Sequence, residues 1–235
     1  MLEIATLIAA FSGVLLAGRI ALGFGKGAMR IPFYFFSASI FILFLSLLFL
    51  FLSENQVFFH LNDVTMHIWV HILAVLGLVL FVFGGKKLND IARDPIPNGV
   101  FSGTAKFFLT LTVLCAIGIF FVSAPLEARI APIFINSSVD IFGLHHFSVF
   151  FLALLCVVYV WSVRDGWGKM LNIGIAPFFC FLFLIGIQHF WETTTESWKL
   201  FIISPDQIEF IERLLLLPAY IMLDISFFRM KTVVL

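Results

Sequence analysis

Seven apolar runs, each close to 20 residues long, divide the chain: 4–22, 31–52, 64–83, 101–122, 142–161, 170–190 and 208–228. A helix rises 1.5 Å per residue, so about 20 residues cross roughly 30 Å of hydrocarbon. The separators are short and hold most of the polar, Gly and Pro residues. None of the runs alternates apolar and polar positions as a barrel strand does. Backbone groups in lipid have to be satisfied within the segment, so the pattern predicts helices. The expected fold is an all-α integral membrane protein, a bundle of about seven transmembrane helices in a single polytopic domain over residues 1–235.

Composition points the same way. Hydrophobic residues make up 62% of the 235 positions and charged residues 12%, with 32 Phe. Soluble domains average about 25% charged residues, and the excess apolar surface here has to face lipid. The lipid bilayer is thus the expected partner. A formal net charge of zero gives no reason to expect nucleic acid. The start Met1-Leu2-Glu3 has no basic stretch, so the first run is expected to be a span rather than a cleaved signal peptide. Cys115, Cys156 and Cys180 all lie inside apolar runs and are expected to be small buried hydrophobes.

Charge placement predicts orientation. One set of separators collects Arg19, Lys26, Arg30, Lys86, Lys87, Arg93, Lys106, Arg164, Lys169, Arg229 and Lys231, and the other only Arg129, Lys199 and Arg213, 11 against 3 of the 14 basic residues. The basic side is expected to be cytoplasmic. That places the N-terminus outside and the C-terminus inside, as seven spans require. The membrane is expected to be a prokaryotic inner membrane or that of an organelle. Two long outer loops are expected, at 123–141, where 126–135 has the makings of an interfacial helix, and at 191–205. A basic inner loop is expected at 84–98.

On this topology all six histidines, His60, His67, His71, His145, His146 and His189, fall in the outer half of the membrane or at its edge. Ionisable residues inside a bilayer are costly and are functional-site candidates by default. Asp63, His67 and His71 repeat at a spacing of four, so they share one stripe of the third span. Two imidazoles at i and i+4 can chelate a cation, and a carboxylate in line with them can be a further ligand or orient a ring. His145 and His146 open the fifth span, where adjacent positions diverge by about 100° around a helix and at most one is expected to face the bundle centre. His189 and Glu192 close the sixth span on one face, with Gln188 beside them. Asp63, His67, His71, His145, His146, His189 and Glu192 are the candidate metal ligands. The donor set suits Zn, Cu or non-haem Fe. Haem b held by His71 and His145 is a variant. Polar residues that only bond helices together are the competing reading. Glu209 and Arg213 are spaced to form an ion pair, with Glu209 or Glu212 facing the histidines as a lesser reading. Asp224 is expected near the cytoplasmic end, paired with Arg229 or Lys231.

His67-x3-His71 and His145-His146 resemble pieces of the histidine boxes of membrane desaturases and hydroxylases. Those boxes need more histidines, on the cytosolic face. The His-x3-His pair also resembles that of the seven-helix zinc hydrolases related to adiponectin receptors and alkaline ceramidases. In those proteins the pair lies in the last span, and here that span has no histidine. It also has no Lys in its core for a retinal Schiff base. The functional expectation is a membrane metalloenzyme or redox subunit with a metal or haem site in the outer leaflet. The alternative is a non-catalytic structural or assembly subunit beside other membrane subunits, and a small transporter ranks below both.

Overall fold

The computed structural model describes residues 2–24, 29–55, 63–93, 141–163 and 168–234. These residues are all helical apart from short turns. The helices are α1 (Leu2–Gly23), α2 (Arg30–Glu54), α3 (Asp63–Arg93), α4 (Ile141–Val163), α5 (Gly168–Glu192) and α6 (Pro205–Val234), with a π-helical turn at Thr193–Ser197. They cover six of the seven expected runs. The run at 101–122 lies outside the described residues, as do most of the loop at 123–141 with its 126–135 stretch, and Cys115.

Four helical stretches are long and apolar enough to cross a membrane: Leu2–Gly23, Arg30–Ser53, Trp69–Ile91 and Ile173–Thr195. In α4 the apolar stretch Ser148–Trp161 is shorter. Along its length α6 carries Asp206, Glu209, Glu212, Arg213, Asp224, Arg229 and Lys231, which dilute its apolar content.

Among the described residues each helix packs on its neighbours in chain order, and α6 returns to α1, so the six close into a ring. Contacts fix the sense of each pair. Ser39 Oγ donates to Gly77 O and Ser46 Oγ to Val70 O, which makes α2 and α3 antiparallel. Ser226 Oγ donates to Gly174 O, and the Phe181 and Tyr220 rings lie 5.6 Å apart, so α5 and α6 are antiparallel too. Two pairs run parallel. His71 meets His146 while Cys156 reaches Leu78 O, which aligns α3 with α4. Glu3 meets Arg213 while Gly13 meets Leu223, which aligns α1 with α6. It follows that Leu2 and Val234 lie at opposite ends of the bundle, and so do Arg93 and Ile141.

Aromatic rings fill the middle of the ring of helices. Phe36 of α2 lies 5.7 Å from Phe81 of α3 and 5.2 Å from Phe178 of α5, and Phe178 lies 5.8 Å from Phe227 of α6. Such pairs contribute about 0.5–1.5 kcal/mol each beyond their area. Close approach of helices needs missing side chains. A Cβ on Gly84 would sit 2.6 Å from the Phe36 ring. This corrects the inner loop: α3 runs on through Gly84, Gly85, Lys86 and Lys87 to Arg93. The glycines there serve helix packing instead of ending the span. The outer loop at 191–205 is also shorter than expected, because helical turns continue to Ser197. Asp224 needs a third correction. It lies against Gly13, midway along α1, and bonds to the Ser12 hydroxyl, away from the C-terminal end of α6. Cys156 is a buried free thiol as expected, whereas Cys180 is exposed.

Candidate metal centre

The ring gathers polar residues at the end where α3, α4 and α6 begin and α5 finishes. His71 lies in the third turn of α3, His146 in the second turn of α4, and His189 and Glu192 in the last turn of α5. All four are buried, with relative exposures of 6, 1, 8 and 7%. Their rings converge: His71 and His146 lie 4.6 Å apart edge to face, His146 and His189 6.0 Å, and His71 and His189 6.4 Å.

Glu192 joins the group. Its Oε2 lies 2.8 Å from His146 Nδ1 and 2.5 Å from His189 Nδ1. Its Oε1 accepts from the Gln188 amide, one turn back on the same face. The His189 Nδ1 contact is a hydrogen bond to the carboxylate, which helps to fix the orientation of that ring. His146, His189 and Glu192 offer ligand atoms all within 4.8 Å of one another, and so form a buried group that could hold a metal ion. Two imidazoles and a carboxylate are a donor set that both zinc and non-haem iron use.

The turn after Glu192 holds it in place. The helix widens from α to π at Thr193–Ser197, and such widening is frequent at functional sites. The hydroxyl of Thr193 donates to His189 O, and those of Thr194 and Thr195 both donate to Trp191 O. These bonds occupy carbonyls that a regular helix would pair with backbone N–H groups. The three threonines are buried, and the turn packs on α4. Their run in the sequence is the trace this device leaves, although its polarity alone predicts a loop.

Of the seven expected ligands, His71, His146, His189 and Glu192 come together. The backbones of Asp63 and His67 lie on the first turns of α3 and that of His145 on α4, but their side chains, and all of His60, lie outside the described residues. The haem variant, with His71 and His145, stays open because the His145 side chain lies outside the described residues. Arg213 takes up Glu209 as expected, and also Glu3 of α1, which the sequence did not single out.

Compared with known protein families, characterised proteins and solved structures, the chain shows no significant match. Any functional reading therefore rests on the site itself.

Proposed function

We propose that this chain is a seven-span membrane protein, N-terminus outside and C-terminus cytoplasmic, with a zinc or iron centre in the outer leaflet. The observation that carries this reading is the meeting of His146, His189 and Glu192 within 4.8 Å, buried among apolar helices. Two of them lie inside the candidate span Ile173–Thr195. Taking these groups into hydrocarbon is costly unless they are paired or coordinate a cation. His71 adds a third imidazole at ring contact, and Asp63, His67 and His145 are the nearest further candidates along the chain. An ion with three or four protein ligands keeps a position for water or substrate, which is the basis of hydrolytic or redox catalysis. The parallel sense of α3 with α4 supports a further span between them, and that of α1 with α6 supports termini on opposite sides.

A second reading has its own support. Both Glu192 oxygens already have protein partners, so the network closes on itself and ties α4 to α5. That suits a non-catalytic subunit of a larger membrane complex.

Elemental analysis and absorbance of protein purified without chelators test the two readings, with His146→Ala run alongside. The metal reading expects near-stoichiometric zinc or iron that is lost in the variant. Metal-free, colourless wild-type protein that co-purifies with fixed partners would reject it in favour of the subunit.

A further inference from the structure

The chain leaves the π turn through a left-handed terminator. Trp198 N–H donates to Thr193 O and Leu200 N–H to Thr194 O, each at 2.9 Å. Between them Lys199 has φ 50°. A left-handed residue commonly ends a helix, normally with Gly at that position and a closing N–H that reaches back five positions. Here the closing N–H of Leu200 reaches back six, one more than usual, because the turn it ends is π-helical. Lys199 holds it without that freedom. The stop turns the following residues away from the bundle, and those residues are apolar.

Trp198, Leu200, Phe201 and Ile202 are 51, 62, 52 and 105% exposed. They lie between the end of the candidate span at Thr195 and the exposed polar residues Asp206 and Gln207 that open α6. The chain path therefore sets them at the boundary between hydrocarbon and water. Phe201 stacks on Trp191 of the last turn of α5, with centroids 5.8 Å apart and planes 22° apart, which fixes the segment's height against the helix. Trp is enriched at the headgroup level of membranes, and Lys can lay its stem along apolar surface while its amine stays in water.

We propose that Trp198–Ile202 is a membrane lip that inserts into the headgroup and upper acyl layer of the adjoining leaflet, so that its partner is the phospholipid bilayer. Leu200 and Ile202 enter the acyl boundary, and the Lys199 amine stays among the phosphates. A protein partner fits less well. A stable protein interface takes about 20–30 residues a side, and this lip offers four large side chains in one narrow turn. Because Thr193 and Thr194 hold its backbone, the lip is tied to the turn that follows Glu192. The proposal is independent of whether the histidine cluster binds a metal.

The test uses the full chain in phosphatidylcholine nanodiscs, with brominated lipid as the membrane quencher and iodide as the aqueous one. Subtracting Trp198→Phe from wild type isolates the Trp198 emission. Ile202→Trp adds a second reporter at a fully exposed position, so the result does not hang on one variant. Both signals are expected to fall at least twofold with lipid brominated near the head end and to be little changed by iodide. Quenching by iodide without quenching by lipid would put the lip in water and overturn the proposal. Quenching by neither would mean that protein covers it, and would overturn the proposal equally.

Discussion

His146 on α4 and Glu192 at the end of α5 meet at 2.8 Å, Nδ1 to Oε2, with both side chains buried. The same oxygen receives His189 Nδ1, so one carboxylate orients two imidazoles from two helices. The chemistry proposed for this end of the bundle depends on that sharing.

Removing members of the group should give non-additive losses. His146→Ala and His189→Ala should each strip the ion, and the double variant should be little worse, because the residues act as one unit. Glu192→Gln keeps the shape and should weaken metal retention by about 10–100-fold, as loss of an orienting partner does. Chelator competition on purified protein measures all four. If the histidines only bridge helices, each single change should cost about 0.6 kcal/mol of stability and alter no bound species.

Metal retention should depend on pH in one direction. Ligand imidazoles have to be neutral, so protons compete with the ion. Affinity should therefore fall as pH drops. A chromogenic chelator in a pH series reads this, and release that does not change with pH would argue against imidazole ligands.

Gly84 and Gly18 should respond differently to the same added methyl. At Gly84 a Cβ would meet two Phe36 ring carbons at 2.6 and 2.7 Å and Phe35 Cβ at 3.2 Å, whereas at Gly18 its nearest neighbour is Ser37 Oγ at 3.7 Å. Gly84→Ala should destabilise by about 1–3 kcal/mol, the usual cost of overpacking. Gly18→Ala should be neutral or stabilising, since Ala is the better helix former. Unfolding in micelles compares the two, and equal effects would contradict the packing described for α2 and α3.

Topology is open to direct measurement. A reporter fused after Leu235 should be active only in its cytoplasmic form, and one fused before Met1 only in its external form. Both termini on one side would require an even number of spans and would contradict the parallel packing of α1 on α6.

Much of the fold was legible because its signal is local. Length and apolarity of a run suffice to place a helix: six of the seven runs fall on described helices, and four of these helices are long and apolar enough to cross a membrane. Glycine and polar residues do not end a helix here. Gly84 and Gly85 sit inside α3 because Phe36 and Tyr159 press against them. Thr193–Thr195 stay in helical turns because their hydroxyls satisfy the local carbonyls. Asp224 was placed by its distance from Arg229 and Lys231 along the chain, yet the parallel packing of α1 and α6 sets it at mid-span beside Gly13 and Ser12.

The site divides in the same way. Residue type and span position put His71, His146, His189 and Glu192 at one depth, because depth follows from counting residues at 1.5 Å each. Which of them meet depends on how each helix is rotated and which helices are neighbours. Helices that are apolar nearly all round carry almost no record of their facing in the hydrophobic pattern, since lipid and protein interior reward the same side chains. Rotation and order are settled by steric fit: glycine against phenylalanine, serine hydroxyl against carbonyl, and the Glu3–Arg213 clasp that closes α6 on α1. That the cluster is built from three helices, with one carboxylate shared between two imidazoles, is therefore a property of the tertiary packing alone.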